Sequence, residues 1–387
     1  MNSEKSKESK VKTQKEIRKF IYQPQRLRSH RKEWLIIVMK QKLILGSVLL
    51  AMMMLIPAMA VSGTGEPSQN VSSVDSITSS EAASNSSAAA ESTTAESTSS
   101  TAANQLSFKI LDEATGNILT VPDQEFLLGA VAAEMPLTYH DEALKAQAVA
   151  CYTIYDKKRT EQRQKPDAAL KGADFTCNTD TWQIYVTKED MQERWGTTFE
   201  TNYAHLQQVC NHVGLQKLVY QGEPVLATYY AISAGKTEAA EDIWGGKRDY
   251  LVAVASPGDT QAPGYETTVT CSKKEARTAI LKKWPSCELG SDPAAWITDP
   301  IRTASGSVRS IAVGSIVATG DELRTLFALR SSNFMVSYTE ASGFTFTVHG
   351  YGHGVGMSQY GADTMARSGS DYKAILQWYY PGTELTA

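Results

Sequence analysis

The strongest constraint on this chain is an uncharged stretch of 19 residues, positions 43–61, composed mainly of Leu, Ile, Met and Ala. A helix of this length can cross the hydrocarbon core of a bilayer. The preceding 42 residues carry 13 Lys or Arg and 4 Glu, a net charge of 13 − 4 = +9 that favours a cytoplasmic N-terminus. We therefore expect a single-pass protein of the cell membrane whose remaining residues are extracytoplasmic.

A cleaved signal sequence is the alternative interpretation of residues 43–61. The stretch ends in Ala58-Met59-Ala60, which has the small-x-small pattern of a cleavage site. The long basic segment 1–42 and the full-length apolar run favour an uncleaved anchor. Both interpretations place the rest of the chain outside the cytoplasm.

Residues 62–105 are almost entirely Ser, Thr, Ala, Glu and other small polar residues. Such a segment lacks the large apolar side chains that offset the entropy of ordering, so we interpret it as a flexible linker. The folded part is then 106–387. The whole chain has a charge of −4, which leaves −4 − 9 = −13 for residues 43–387 and argues against nucleic-acid binding.

Helix and strand patterns are mixed in the folded part. Residues 141–158 are predicted to form a helix, with Asp141 and Glu142 in its first turn and the basic residues 157–159 in its last. Further helices are predicted at 321–329 and 372–380, and strands at 218–220, 225–232 and 344–348. We expect an α+β fold, as one large mixed domain or two closely joined lobes, with a substrate groove.

One carboxyl group, that of Glu134, ends an apolar helical run and is followed closely by Pro136. The residue before a proline is driven out of the helical region, so the helix should end near Glu134 or Met135. Burial and the negative end of the helix dipole would both raise the pKa of this carboxyl. A carboxyl that is protonated near neutral pH suits a general acid. On this segment alone, a solvated Glu in a last turn is the alternative.

Several segments occur together in a fixed order. They are Glu134-Met135-Pro136, the run at 141–150, Ser233-Ala234-Gly235-Lys236-Thr237-Glu238 with 242–246 after it, and the glycine-rich run at 352–362 followed by 378–383. In this order they resemble the stage II sporulation protein D family, which includes the amidase enhancers of bacterial cell walls. The resemblance extends from about Ser107 to the C-terminus.

The resemblance implies a peptidoglycan lytic transglycosylase that acts in sporulation engulfment and needs no cofactor. The catalytic Glu of the family matches Glu134. Its expected substrate is a glycan strand, preferably peptide-free, and its product ends in a 1,6-anhydro sugar. A cell-wall amidase is a further expected partner. The rival hypothesis is a non-catalytic peptidoglycan-binding protein that enhances such an amidase.

Substrate-binding residues are predicted on the same segments. The family repeats Lys145 and Gln147 on the helix after Glu134, although Tyr152 stands where the family usually has an Arg. The alternating glycines near the C-terminus permit close approach of backbone to a ligand. The residues predicted to line the groove are Lys145, Gln147, Ser233, Lys236, Thr237, Trp244, His353, Gln359 and Tyr360, with Tyr229 and Tyr230 as further aromatic candidates.

No metal site is predicted. Some family members bind zinc through a Cys-and-His cluster, but here Thr181 and Trp182 stand where the His and second Cys would follow Cys177. A structural zinc site needs four nitrogen or sulfur ligands. A second set, His205, Cys210 and His212, lacks a fourth partner. The five cysteines of this exported chain leave their pairing open.

Overall fold

The computed structural model describes residues 106–178 and 184–386. The predicted basic segment, membrane anchor and linker lie outside these residues, as do Thr181 and Trp182. Among the helices of the described part, none combines the length and apolar character that a membrane crossing requires. The described residues belong to one compact unit.

The described part is an α+β structure, as expected. Its strands are β1 (Ser107–Asp112), β2 (Ile118–Pro122), β3 (Phe175–Cys177), β4 (Lys217–Tyr220), β5 (Glu223–Pro224), β6 (Tyr229–Tyr230), β7 (Glu266–Cys271), β8 (Ile297–Arg302), β9 (Val308–Val313), β10 (Ile316–Thr319), β11 (Phe334–Thr339), β12 (Gly343–His349), β13 (Met357–Ser358) and β14 (Glu384–Thr386). They form small sheets with the orders β2-β1-β3, β10-β9-β8, β11-β12-β7, β13-β6 and β14-β4-β5.

Helices separate these sheets. They are α1 (Asp123–Glu134), α2 (Asp141–Gln164), α3 (Lys188–Trp195), α4 (Phe199–Val213), α5 (Ala240–Trp244), α6 (Lys273–Lys283), α7 (Gly320–Leu326), α8 (Gln359–Arg367) and α9 (Tyr372–Tyr379). Helix α1 ends at Glu134 because Met135, which precedes the proline, is extended at φ −128° and ψ 136°. Helices α7 and α9 lie close to the ranges predicted from the sequence.

Two predicted elements need correction. Helix α2 does not end at the basic residues 157–159 but continues to Gln164. Arg159 is buried there and bonds to Asp123 and Asp156, so tertiary contacts use the charge that the sequence assigned to the end of a helix. The strand predicted at 225–232 is reduced to Tyr229–Tyr230.

Two hydrophobic cores stabilise the described part. The first core gathers side chains from β1, α1, α2, α4, α8 and α9, among them Phe108, Phe126, Leu144, Tyr379 and Tyr380. The second core is made by β7 to β12 with α6 and α7, and includes Ile280, Leu323, Phe334, Phe344 and Phe346. The segments that carry the predicted site residues lie mainly around the first core.

Candidate active site

The Glu134 carboxyl lies at the end of α1 in a half-buried position. Burial raises its pKa from 4.5 to about 7, and the positive charge of Lys158 and a hydrogen bond from the Tyr229 hydroxyl oppose that rise. The pKa of Glu134 is therefore shifted in the direction expected from the sequence, and burial is the largest cause of the shift. Near neutral pH the group is poised to give or take a proton.

A chain of hydrogen-bond donors leads to this carboxyl. On α2, the side-chain nitrogen Nε2 of Gln147 donates to the sulfur of Cys151 over 3.2 Å. The Cys151 thiol donates to the Tyr229 hydroxyl over 3.4 Å, and that hydroxyl hydrogen-bonds to Glu134. These three side chains are all uncharged at neutral pH, since burial raises the pKa of the Cys151 thiol to about 12.

Gln359 joins the other side of the site. Its Nε2 donates to the backbone carbonyl of Glu134 and to Oε1 of Gln147, each over 3.3 Å. It is the first residue of α8, whose N-terminus is capped by the Ser358 hydroxyl. Three predicted site residues, Glu134, Gln147 and Gln359, thus lie together. Tyr229 and Cys151 complete the cluster; Tyr229 was predicted only as a further aromatic candidate for the groove, and Cys151 was not predicted as a site residue.

His353 supports the cluster from behind. Its Nε2 hydrogen donates to the backbone carbonyl of Tyr229 over 3.1 Å, while Nδ1 accepts from the backbone nitrogen of Val355 over 3.1 Å. Its ring lies between Tyr230 and Trp244, with centroid distances of 5.4 and 5.2 Å. Burial lowers its pKa to about 3, helped by nearby Arg324. His353 is therefore neutral, and both nitrogens are used to hold the backbone of Tyr229.

The glycine-rich run allows this arrangement. A side-chain carbon at Gly356 would lie 2.0 Å from the carbonyl oxygen of Thr228, and one at Gly352 would lie 2.5 Å from Cβ of Tyr230. Both glycines have positive φ angles. Glycine is needed here because the run that carries His353 and Gln359 packs directly against β6 and the residue before it.

The Ser233–Thr237 segment is not part of the Glu134 cluster. Ser233 and Thr237 are buried; the first donates to Asp259, and the second exchanges hydrogen bonds with backbone groups of Val252 and Val254. Lys236 is exposed. The buried pair has a structural role, and sugar binding by any of the three stays a prediction.

Lys145 and Trp244 also have defined partners. Lys145 donates to Glu142 over 2.6 Å, and the same Glu142 carboxylate accepts from the backbone nitrogen of Tyr372, which connects α2 with α9. Trp244 is buried against His353. Trp244 thus supports His353, whereas Lys145 bonds to Glu142 away from the Glu134 cluster; sugar binding by either residue stays a prediction.

Helix α8 holds the loop that follows Glu134. A carboxylate oxygen of Asp363 accepts from the backbone nitrogen of His140 over 2.6 Å. Arg367 donates to the carbonyl of Thr138 over 2.9 Å and pairs with Asp363. Glu134 and the start of α2 are therefore fixed to the same helix that supplies Gln359.

Metal-ligating side chains are not grouped within residues 106–178 and 184–386, where no set of three or more His, Cys, Asp or Glu could hold an ion. His205 instead bonds to Asp141 over 2.7 Å. All five cysteines are free thiols. Cys177 is one of them. Thr181 and Trp182, the two residues that argued against a zinc cluster there, lie outside the described residues.

Comparison with known proteins adds independent information. A family profile described as "Stage II sporulation protein" matches residues 112–220. Stage II sporulation protein D of Bacillus subtilis (strain 168) is 31% identical over 351 residues, covering 90% of this chain and 96% of that protein. The protein of the same name from Bacillus amyloliquefaciens is 32% identical over 284 residues, covering 73% and 79%. The amidase enhancer of Bacillus subtilis is 28% identical over 311 residues, covering 67% of this chain and 40% of that protein.

Proposed function

This chain belongs to the stage II sporulation protein D family, and on that premise we propose that it is a lytic transglycosylase that cleaves the glycan strands of peptidoglycan. Peptide-free strands are the proposed substrate, and sporulation engulfment is the proposed setting. We also propose that residues 43–61 anchor the chain in the membrane and that the 106–387 domain acts outside the cytoplasm.

The observation that carries the proposal is the Glu134 carboxyl with its pKa near 7. Cleavage of a glycosidic bond needs a proton on the leaving oxygen as the bond from C1 breaks. A carboxyl with an ordinary pKa is almost fully ionised at neutral pH, whereas this one retains its proton in a large share of molecules. Glu134 can therefore act as the general acid.

The same group can complete the reaction. After the bond between C1 and the leaving oxygen breaks, the C6 hydroxyl of the same sugar forms a bond to C1. Its proton passes to the Glu134 carboxylate, which restores the acid. The product is a 1,6-anhydro sugar, and no water is consumed, so the mechanism needs one carboxyl group rather than the usual two.

The neighbouring hydrogen-bond donors stabilise the ionised form of Glu134, which exists between the two proton transfers. When Glu134 has given up its proton, the Tyr229 hydroxyl still donates to it and stabilises the carboxylate. The thiol of Cys151 and the amide of Gln147 fix the direction of that hydroxyl. Gln359 holds the backbone of Glu134. The cluster thus presents one carboxyl in one orientation.

A second function is favoured by one specific finding, the similarity to the Bacillus subtilis protein named amidase enhancer. Under that alternative the chain would bind peptidoglycan and a separate amidase would cut it. The two functions make different demands on Glu134, because a binding protein does not need its proton.

The test uses the full-length chain with amidase-treated peptidoglycan and reads the products by mass spectrometry. Wild type should release 1,6-anhydro-muramyl products. Glu134→Gln keeps the shape but removes the acid, and we expect its rate to fall about 10²- to 10⁴-fold. Glu125→Gln is the matched control, since Glu125 lies on the same helix and also accepts from a tyrosine hydroxyl, that of Tyr185; it should retain activity.

One outcome would favour the alternative. If folded wild type binds the glycan and accelerates an added cell-wall amidase, yet releases no anhydro product, the lytic transglycosylase proposal is wrong. Equal product release by wild type and Glu134→Gln would keep the activity but remove Glu134 from its centre.

A further inference from the structure

Two aromatic rings belong to the segments that contact Glu134. Tyr139 and Tyr360 meet edge to face with their ring centroids 6.3 Å apart, and both are half-buried. Tyr139 belongs to the loop that follows Glu134, and Tyr360 follows Gln359, whose amide bonds to Glu134. Tyr139 is therefore linked to Glu134 along the chain, and Tyr360 is linked to it through the hydrogen bond of its neighbour Gln359.

This ring pair is held in place before any ligand binds. The Tyr139 loop is fixed to α8 by Asp363 and Arg367. Tyr360 is anchored through its backbone nitrogen, which donates to the carbonyl of Ala231 over 3.0 Å. Rings that are already ordered lose little entropy when a ligand stacks on them.

A second ring pair is linked to the first through Gln261. The Tyr360 hydroxyl reaches the carbonyl of Gln261 at 3.5 Å, and Gln261 is exposed. Four residues later, the Tyr265 ring stacks on the His349 ring with a centroid distance of 5.2 Å and an angle of 9°. Both of these rings are half-buried as well, and His349 is oriented by a 3.0 Å contact with Glu266.

We propose that these five residues form a glycan track, defined by Tyr139, Tyr360, Gln261, Tyr265 and His349, which binds successive sugars of a strand whose scissile bond lies at Glu134. The track rests on the proposed function for the identity of its ligand. Sugar rings present flat faces of C–H groups, and partly exposed aromatic rings offer matching apolar surface with a polar edge. The Gln261 amide between the two pairs has both donors and an acceptor for hydroxyl or acetamido groups.

The arrangement makes a prediction about chain length. A short oligomer would reach only the Tyr139–Tyr360 pair beside Glu134. A longer oligomer would also cover Gln261 and the Tyr265–His349 pair, so its affinity should be higher. This separates the track from a single sugar-binding pocket, for which additional sugars would add nothing.

The experiment measures binding by calorimetry in the full-length Glu134→Gln chain, so that the ligand is not cut. The ligands are a short and a long peptide-free glycan oligomer. Tyr360→Ala should weaken binding of both about tenfold, the change expected when roughly 55 Å² of apolar ring surface is no longer buried. Tyr265→Ala should weaken only the long oligomer, and by a similar factor.

The matched control is Tyr220→Ala. Tyr220 and Tyr250 form another half-buried ring pair, with centroids 5.4 Å apart, which is not part of the track. This variant should bind both oligomers as its parent does. If Tyr360→Ala unfolds at a lower temperature, Tyr139→Leu removes the other ring of the pair and should give the same loss for both oligomers.

The track is wrong if folded Tyr265→Ala binds the long oligomer as tightly as its parent, or if the two oligomers bind the parent equally. Either result would leave the proposed function intact, since that function is judged by anhydro products from wild type. Conversely, length-dependent binding without such products would keep the track and favour the amidase-enhancer function.

Discussion

The two ends of helix α1 each hold a carboxyl that accepts from a tyrosine hydroxyl, yet their surroundings differ in charge. At the N-terminal end, Asp123 accepts from the Tyr152 hydroxyl and from the Arg159 guanidinium, each over 2.7 Å. At the C-terminal end, Glu134 receives the hydroxyl of Tyr229, whose own donor, the Cys151 thiol, is neutral; the positive charge of Lys158 also acts on Glu134, but burial outweighs it. A cation bonded directly to a carboxyl favours its ionised form, whereas burial favours the protonated form.

The N-terminal end extends into a larger ion-pair network. Arg159 also bonds to Asp156 over 2.5 Å, and Lys217 bonds to the same carboxyl over 2.8 Å. Burial on its own would raise the pKa of Asp156, but the hydrogen bonds from Lys217 and Arg159 bring it below its ordinary value. This network fastens β4 and α1 to α2, and the Asp156 carboxyl in it is ionised near neutral pH.

The same contacts locate Tyr152 in the fold. Helix α1 has 12 residues and is about 18 Å long. Cys151 and Tyr152 are adjacent on α2, but their side chains point to opposite ends of α1, the first toward Tyr229 and the second toward Asp123. In this chain Arg159 supplies the guanidinium to Asp123. Tyr152 therefore belongs to the Asp123 end of α1, and Cys151 belongs to the Glu134 end.

The largest expected effect comes from breaking the N-terminal end. Arg159→Met keeps much of the side-chain volume but leaves Asp123 and Asp156 buried without their shared cation. We expect the free energy of unfolding to fall by about 3–5 kcal/mol, the usual cost of removing one partner from a buried ion network. Urea denaturation at pH 7 measures it.

Lys157→Ala is the control for that variant. Lys157 lies two residues earlier on the same helix and pairs with the exposed Glu161 over 3.3 Å, so its loss should cost less than about 0.5 kcal/mol. A loss for Arg159→Met no greater than this would show that the network does not stabilise the fold.

The second prediction concerns the C-terminal end of α1, where a substitution should increase the free energy of unfolding instead of decreasing it. The pKa of Glu134 is about 7 in the folded chain and 4.5 without burial, so the folded state resists ionisation. Its contribution to stability is complete below pH 4.5 and is lost as the pH rises through 7. Glu134→Gln cannot ionise, and at pH 8 it should be more stable than wild type by about 2–3 kcal/mol.

The pH dependence identifies the cause. The advantage of Glu134→Gln in the free energy of unfolding should be small near pH 4 and should grow up to about pH 7. A difference that is constant between pH 4 and pH 8 would mean that the Glu134 carboxyl is not held neutral by burial.

The sequence predicted the C-terminal end of α1 better than its N-terminal end. The end of the helix and the direction of the Glu134 pKa shift follow from neighbours in the chain, namely the apolar run and Pro136. Arg159 was assigned to a helix end because its local pattern fits one. Its real partner, Asp123, lies 36 residues away and is recognisable only in the folded structure.

The donors around Glu134 show the same limit. The sequence offered both Tyr229 and Tyr230 as aromatic candidates for the groove; in the structure Tyr230 is buried and Tyr229 is half-buried. Which of the two would bond to Glu134 depends on His353, 124 residues later, which holds the Tyr229 backbone. Cys151 carried no signal beyond its place on a helix face, since a thiol becomes part of a donor chain only through its neighbours.

The smallest expected effect sharpens the comparison between the two tyrosines. The Tyr229 hydroxyl favours the charged form of Glu134, so Tyr229→Phe should raise the pKa of Glu134 above 7. A hydrogen bond is worth about 1 kcal/mol, which corresponds to roughly 0.5–1 pH unit. Because the acid must be protonated, kcat/KM for glycan cleavage should fall above the pKa of Glu134, and in Tyr229→Phe this fall should begin at higher pH. Tyr152→Phe removes a tyrosine hydroxyl from the other end of α1 and should leave the pH at which kcat/KM has fallen by half unchanged. If this pH is the same for wild type, Tyr229→Phe and Tyr152→Phe, the Tyr229 hydroxyl does not set the pKa of Glu134.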